Sequence, residues 1–111
     1  MQINLNMNKD TLIAKMIGEL DHHSAKEVRE KLERYIINKS AKNLIFDFSN
    51  LTFMDSSGIG MIIGRFKLIS AMGGKVHIVC QNKQIEKLIK MSGLKKIINV
   101  YLNVEEAIEN L

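Results

Sequence analysis

The sequence predicts an α/β fold in which a mixed, mostly parallel sheet of about five strands is covered by four helices. Apolar segments typical of strands alternate with helical segments in the order β-β-α-β-α-β-α-β-α, which favours parallel strands joined by right-handed crossovers. The length of 111 residues is that of one domain, so we expect a single domain over residues 1–111. A hydrophobic fraction of 46% is the globular average and excludes an intrinsically disordered chain.

The first two strands are predicted to form an antiparallel hairpin. Apolar and polar residues alternate over 2–8, which is typical of a half-buried strand at the edge of a sheet. A turn cluster at 8–10 separates this strand from a second one over 11–17. The next segment, 18–24, is predicted to be a polar loop that leads into the first helix.

The first helix is predicted from its N-terminal signal. Ser24 and Glu27 have capping-box spacing, in which each side chain satisfies the other's free backbone N–H group. Apolar residues then recur at helical spacing as far as Asn38, so we expect an amphipathic surface helix. Residues 43–48 form a nearly continuous apolar segment, as expected for a central strand covered on both faces.

The second half of the chain continues the alternation of helix and strand. Gly73 and Gly74 are expected to end the second helix through a positive-φ conformation. Cys80 is expected to be a small apolar core residue at the end of a buried strand. The elements predicted after the central strand are a helix over 58–72, a strand over 75–80, a helix capped by Asn82, a strand over 97–101 and a final helix capped by Asn103.

Cysteine usage and hydropathy predict the compartment. A single cysteine cannot form a disulfide within the chain, which favours a reducing, cytoplasmic location. The N-terminus alternates polar and apolar residues and lacks the features of a signal peptide. The longest uncharged apolar run, at 59–64, is far shorter than the roughly 20 residues that span a bilayer. We therefore expect a soluble cytoplasmic domain with no membrane partner.

The net charge of +4 is unevenly distributed along the chain. Residues 1–64 carry no net charge, whereas residues 65–96 carry +7. Arg65 and Lys67 are predicted on the outer face of the second helix. The simplest interpretation of this basic segment is a solvated surface, and a surface that binds an acidic protein partner fits as well. Nucleic-acid binding is disfavoured because the segment has no interleaved aromatic residues that could stack on bases. The third helix presents three lysines on one face at i, i+4 and i+7, namely Lys83, Lys87 and Lys90.

The most informative segment joins the central strand to the second helix. Asp55, Ser56 and Ser57 are all favourable N-cap residues, so a plain helix start is the simplest interpretation. That interpretation leaves Gly58 and Gly60 unexplained, and we interpret them as keeping the first turn open to another molecule. Free N–H groups and the helix dipole favour an anion there, which is either a bound phosphate or a phosphate attached to Ser56.

Two catalytic motifs fit this segment poorly. A nucleotide-binding P-loop requires a Gly-Lys-Ser/Thr ending that is missing. A hydrolase nucleophile elbow requires Gly-x-Ser-x-Gly, and the sequence has Met-Asp-Ser-Ser-Gly instead. A small serine hydrolase therefore remains only a rival hypothesis.

A second polar segment contains Asp21, His22 and His23. Zinc is disfavoured because adjacent histidines point in different directions on most backbones and no further Cys or His pair completes four ligands. A catalytic triad of Ser56, His22 and Asp21 has no spacing signal. The segment is predicted to be a loop at the same sheet end as Ser56, where its side chains contact the same partner.

These residues together resemble those of the bacterial anti-sigma-factor antagonists of the STAS-domain family. The resemblance covers essentially the whole chain, and the sporulation members are favoured over their general-stress relatives. The matching motifs are Glu19-Leu20-Asp21-His22-His23, Leu51-Thr52-Phe53-Met54-Asp55-Ser56-Ser57-Gly58-Ile59-Gly60, Gly64-Arg65-Phe66-Lys67 and Met91-Ser92-Gly93-Leu94.

The resemblance implies a binding protein that is not an enzyme and needs no cofactor or metal. Its implied partner is an anti-sigma factor that is also a serine kinase using ATP and Mg²⁺. The unphosphorylated chain would bind this kinase and release the sporulation sigma factor. Phosphorylation of Ser56 would weaken binding, and a PP2C-type serine phosphatase would reverse it.

The resemblance also implies which residues contact the partner, with Ser57 a second choice for modification. We expect a monomer that binds no nucleic acid, and the alternatives are a general-stress antagonist or another STAS signalling module. The predicted contact residues are Asp21, His22, His23, Asp55, Ser56, Ser57, Gly58, Ile59 and Gly60.

Overall fold

The computed structural model describes all residues, Met1–Leu111, and its elements follow the predicted order. A short 3-10 helix at Leu94–Lys96 is the one addition. The strands are β1 (Gln2–Asn8), β2 (Thr11–Leu20), β3 (Asn43–Met54), β4 (Val76–Val79) and β5 (Asn99–Tyr101). The helices are α1 (Ala25–Lys39), α2 (Ser56–Ala71), α3 (Lys83–Met91) and α4 (Val104–Glu109).

The five strands form one mixed sheet in the order β1-β2-β3-β4-β5. The β1–β2 pair is antiparallel, as the predicted hairpin requires, and the three other pairs are parallel. Helices α1, α2 and α3 pack on one face of the sheet, and α4 packs on the other. The predicted α/β architecture is confirmed.

The central strand β3 explains why both faces of the sheet are covered. Successive strand residues point to opposite faces, and Leu44, Phe46 and Phe48 are buried beneath α1, α2 and α3. Ile45 points the other way and packs with Ala107 of α4. The uninterrupted apolar segment in the sequence therefore reflects two cores that share one strand.

Cys80 follows β4 and is fully buried, as predicted. Burial raises the pKa of its thiol, so the side chain stays protonated and behaves as an apolar core group. None of the helices combines the length and the apolar character needed to cross a bilayer.

Strands β2 and β3 are longer than predicted, because each continues through residues that the sequence assigns to loops. The two strands pair along their whole length and end side by side at Leu20 and Met54. Polar residues are tolerated in this extension because β4 covers only the first half of β3, so Ser49 and Asn50 are exposed.

Arg65 corrects the predicted placement of charge on α2. The side chain is buried rather than outward, with 6% of its surface exposed, and its Nη2 atom lies 2.8 Å from Oε1 of Glu33 on α1. Its Nε and Nη1 atoms are buried without a hydrogen-bond partner. Burial lowers the pKa of Arg65, Glu33 opposes that shift, and Arg29 adds to it. Arg65 is buried because α1 packs over that side of α2.

Removing the charge of Glu33 should destabilise the folded protein, because the buried guanidinium of Arg65 then has no counter-ion. We expect Glu33→Gln to lower the free energy of unfolding by about 2 kcal/mol, since the guanidinium loses its only ionic partner. Urea denaturation measures the effect, and Glu30→Gln on the exposed side of α1 is the matched control, expected within about 0.5 kcal/mol of the unmodified chain. Equal effects of the two substitutions would contradict a structural role for the Arg65–Glu33 pair.

Candidate functional site

The candidate site lies where β2 and β3 end together. The backbone N–H of Asp55 donates to the carbonyl of Leu20 at 3.2 Å, which is the last link between the two strands. The chain then leaves β2 through Asp21–Ser24 and leaves β3 directly into α2. The predicted co-location of these two segments at one sheet end is confirmed.

Asp55 connects the two segments through its carboxylate. Its backbone is extended, and its Oδ1 atom accepts a hydrogen bond from the Ser57 N–H at 2.9 Å, so Asp55 is the N-cap of α2. Its Oδ2 atom accepts from the His22 N–H at 3.3 Å. One side chain therefore caps the helix and holds the neighbouring loop against it.

Ser56 is the first residue of α2 and is exposed. Because Asp55 provides the cap, neither Ser56 nor Ser57 is needed for that task, and neither hydroxyl forms a hydrogen bond within the protein. Of the three candidate N-cap residues in the sequence, Asp55 is the one that caps α2, through its carboxylate. It thereby leaves a free serine hydroxyl at the positive end of a helix dipole.

The loop from Asp21 to Ser24 is organised differently from the prediction. Asp21 Oδ1 accepts from the N–H groups of His23 and Ser24, at 3.0 and 3.1 Å. Ser24 already has helical dihedral angles, and its side chain forms no cap hydrogen bond. The predicted capping box between Ser24 and Glu27 is wrong, because the Ser24 hydroxyl donates backwards to the carbonyl of Glu19 at 3.0 Å.

The same contacts determine the protonation of Asp21. Partial burial acts to raise the pKa of its carboxyl group, but hydrogen bonds from the Ser24 N–H, the His23 N–H and the Ser24 hydroxyl outweigh that effect. The charge of His23 acts in the same direction as the hydrogen bonds, so the pKa of Asp21 lies below its ordinary value. Asp21 therefore carries a negative charge at neutral pH, in the loop that the Asp55 carboxylate holds through His22.

His22 and His23 are exposed at the surface of this loop. Their ring centroids lie 4.0 Å apart with a 39° angle between the planes, so the rings do not diverge as the sequence analysis expected. His22 reaches Asp55 through its backbone N–H and not through its ring. The structure does not assemble the hydrogen-bonded Ser56, His22 and Asp21 triad, and it contains no cluster of three His, Cys, Asp or Glu side chains suited to a metal.

The two glycines of the motif differ in their surroundings. A Cβ atom on Gly58 would lie 2.5 Å from Cγ of Met54 and 3.1 Å from Cγ of Leu20, so this glycine lets α2 pack on the strand ends. A Cβ on Gly60 would meet nothing within 4 Å. The expectation that both glycines lie open to another molecule is wrong for Gly58, which is buried, and is met by the exposed Gly60. Ile59 is also buried, at 8% exposure.

Phe53 is an exposed aromatic residue that the sequence analysis did not single out. It lies two residues before Asp55, with 47% of its surface exposed. Between the pairs Gly18–Leu51 and Glu19–Phe53 the register shifts by one residue, because Thr52 is inserted as a bulge. Strand alternation alone assigns Phe53 to the same side as buried Leu51, so only the bulge accounts for its exposure.

The basic segment is only partly a surface feature. Arg65 is buried in the α1–α2 contact. The lysines at i, i+4 and i+7 on α3 are exposed as predicted and line a shallow surface depression with Glu86. Glu86 forms an ion pair with Lys95 at 3.0 Å, and the other ion pair of the protein joins Arg65 and Glu33. The three lysines of α3 therefore have no ionic partner within the protein; they are Lys83, Lys87 and Lys90.

Similarity to known proteins defines the class to which this protein belongs. A family model for the STAS domain matches residues 2–107, and the chain belongs to the STAS family. Within that family it is an antagonist of anti-sigma factors. It is 38% identical over 111 residues to the anti-sigma F factor antagonist of Paenibacillus polymyxa, covering 100% of this chain and 95% of that protein. It is 26% identical over 107 residues to the anti-sigma-B factor antagonist of Bacillus subtilis, covering 96% of each.

Solved structures give the same assignment. The Bacillus cell fate determinant SpoIIAA in its phosphorylated form superposes with a TM-score of 0.76 at 31% identity, covering 98% of each chain. The unphosphorylated form of SpoIIAA gives a TM-score of 0.77 at 28% identity, covering 98% of this chain and 96% of that one. An anti-sigma factor antagonist from Mycobacterium paratuberculosis, at 17% identity and a TM-score of 0.89 over 98% and 92% of the chains, shows the shared fold.

Asp55 should be the residue that stabilises the start of α2. We expect Asp55→Ala to lower the free energy of unfolding by about 1 to 2 kcal/mol, because the N–H groups of Ser57 and His22 both lose their acceptor. Asp55→Asn keeps an acceptor oxygen and should cost less. Urea denaturation measures both, with Glu19→Ala on the exposed end of β2 as the control. A loss for Asp55→Ala no larger than that of the control would contradict the capping role.

Asp21 should make the folded state sensitive to acid. Its pKa in the folded protein lies below the unfolded value of about 3.9, so the ionised group stabilises the fold above that pH. The contribution is lost as the pH falls through the folded pKa. We expect Asp21→Asn to lower stability at neutral pH and to flatten the decline towards acid pH. An NMR titration of the carboxyl group checks the shift, and a midpoint equal to that of a peptide spanning residues 19–24 would contradict it.

Proposed function

We propose that the protein is a phosphorylation-controlled binding module. In its unphosphorylated state it binds an anti-sigma factor that is also a serine kinase, and this releases a sporulation sigma factor. The kinase phosphorylates Ser56, the modified chain binds weakly, and a PP2C-type serine phosphatase restores the binding form. The chain acts as substrate and ligand, and the phosphoryl chemistry belongs to its partners.

The free hydroxyl of Ser56 carries this proposal. It is exposed at the first residue of α2, it has no hydrogen bond to break, and the backbone around it is held by Asp55. Ser57 has the same side-chain chemistry, but it is only partly exposed and its N–H is bound to the Asp55 carboxylate. The Ser56 hydroxyl is therefore more accessible to the active site of the kinase than the Ser57 hydroxyl, and Ser57 is the second choice for modification.

The modification needs nothing from this chain except the hydroxyl. The kinase transfers the γ-phosphoryl group of Mg²⁺-bound ATP to Ser56 Oγ. A bond forms between Oγ and the γ-phosphorus, the bond to the β-phosphate bridging oxygen breaks, and ADP leaves. The hydroxyl proton passes to a base on the kinase. The phosphatase later hydrolyses the Ser56 phosphate ester with water.

Electrostatics supports a change in binding without a change in fold. The phosphate adds about −1.5 to −2 charges, which the N-terminus of α2 tolerates because it carries partial positive charge. The new charge nevertheless adjoins Asp55, whose carboxylate holds the loop that carries Asp21, on the surface that we propose the partner covers. A partner surface matched to the neutral serine would meet a larger and more negative group.

Three exposed residues and the partly exposed Asp21 form the proposed contact surface around Ser56. The loop after β2 contributes Asp21 and both histidines, and the open first turns of α2 contribute Gly60. We add Phe53, because an exposed aromatic side chain beside a polar patch is a common anchor at protein interfaces. Gly58 and Ile59 support the surface from below, because their buried positions seat α2 on the strand ends.

The relatives support the partner assignment. Two of them are named as antagonists of anti-sigma F and anti-sigma-B factors, and SpoIIAA has been solved in both phosphorylated and unphosphorylated forms. The higher identity to the anti-sigma F antagonist favours the sporulation system over the general-stress system.

Substitution of Ser56 tests the proposed switch. We expect Ser56→Ala to bind the cognate kinase like the unmodified chain and to gain no phosphate, and Ser56→Asp to bind at least about tenfold more weakly. Intact-mass spectrometry after incubation with kinase, ATP and Mg²⁺ measures modification, and calorimetry measures binding. Ser57→Ala is the matched control and should still be phosphorylated.

Phosphate still added to Ser56→Ala would overturn the assignment of the modified residue. Labelling of Ser56 by a fluorophosphonate probe, accompanied by esterase turnover, would favour the rival serine hydrolase.

A further inference from the structure

A polar cavity of about 450 Å³ lies at the end of the sheet opposite to Ser56. It is bounded by the β1–β2 turn, by the residues that precede β3 and β4, and by the C-terminal end of α4. Its volume is within the range of about 300 to 1,000 Å³ that small-molecule sites occupy. The cavity shares no residue with the Ser56 surface.

Three lysines without ionic partners line this cavity. Lys9 comes from the β1–β2 turn, Lys42 precedes β3, and Lys75 precedes β4. The two ion pairs in the molecule involve other residues, and Asp10 is the one acidic side chain in the lining. Three like charges around one concavity repel each other and raise the local affinity for anions.

Hydrogen bonds fix the main chain at two of these lysines, Lys42 and Lys75. The N–H group of Lys42 donates to the carbonyl of Asp10 at 2.8 Å, and the carbonyl of Lys75 accepts from Leu44 at 2.9 Å. At Gly74, a Cβ atom would lie 1.7 Å from the carbonyl oxygen of Lys42, so the segments before β3 and β4 are in direct contact. The main chain that carries Lys42 and Lys75 is therefore held close together at the start of β3 and β4.

The floor of the cavity is polar and already organised. Thr11 and Asn43 are buried, at 3% and 8% exposure. Asn43 Oδ1 accepts from the Lys75 N–H at 2.9 Å, and its Nδ2 donates to Thr11 Oγ1 at 3.4 Å. At one side, Ile108 and Leu111 provide apolar contact area. The combination of cationic rim, polar floor and apolar edge suits a small anion that carries an organic group.

We propose that this cavity is a binding site for small compounds that carry a diphosphate group. Ammonium groups act as point donors to phosphate oxygens, and a ligand with at least two negative charges would balance the excess of lysine over aspartate. Because the cavity and Ser56 lie at opposite ends of β3, ligand and protein partner can bind at the same time. The site does not depend on the proposed function of Ser56.

A titration of the full chain with pyrophosphate tests the site. We expect saturable shifts of backbone amide NMR signals at Lys9, Lys42 and Lys75, with a dissociation constant of about 1 mM or lower at physiological ionic strength. Lys42→Met and Lys75→Met should each weaken binding about tenfold, because each removes a charged donor. Lys87→Met on α3 is the matched control and should not change the titration.

Three results would overturn the proposal. They are shifts that do not saturate, shifts that are larger at the α3 lysines than at the cavity, and unchanged binding by both cavity variants. Citrate tests the ligand class, because tighter binding of this tricarboxylate than of pyrophosphate would contradict a preference for phosphate. Since the three cavity lysines are exposed, we expect the variants to fold normally, and the unchanged positions of other amide signals check this.

Discussion

The carboxylate of Asp55 is the contact on which the rest of the candidate site depends. It accepts from Ser57 at the start of α2 and from His22 in the loop after β2, and so joins two segments that are 33 residues apart in the chain. Because this carboxylate caps the helix, the adjacent Ser56 hydroxyl has no structural task. A side chain that the fold does not use can be modified without loss of stability, which is what a reversible switch requires.

The long β2–β3 pair sets the geometry around that contact. The strands run side by side from Thr11 and Asn43 to Leu20 and Met54, so the sheet has two well-separated ends. Ser56 lies at the carboxyl ends of the parallel strands, where ligands usually bind in α/β sheets. The lysine cavity lies at the opposite end, where the strands begin. At one end an exposed serine is surrounded by carboxylates and histidines. At the other end three lysines without ionic partners surround a polar floor. The packed core between them is common to both.

The sequence predicts the fold and the location of the site well. Its predictions for single residues fail where contacts with another segment decide how a side chain is placed. Ser24 satisfies the capping-box pattern, but its hydroxyl donates back to the carbonyl of Glu19 and does not cap the helix. Arg65 satisfies the pattern of an outward residue on α2, but α1 packs over that side of the helix. The bulge at Thr52 reverses the side on which Phe53 lies. None of these outcomes follows from local periodicity.

The sequence by itself determined the order of elements, the parallel sheet, the helix start at Asp55–Ser57 and the family, because these depend on short-range patterns of polarity and on specific motifs. Only the tertiary structure decided that Asp55 rather than a serine is the cap, that Gly58 is a packing residue and Gly60 an open one, and that Lys9, Lys42 and Lys75 surround one cavity. The cap is a contact between close neighbours, which three adjacent candidates leave undecided until the chain is folded. The contact of Gly58 with Leu20 and the meeting of three lysines join residues far apart in the chain, and they exist only once the strands have paired and the helices have packed.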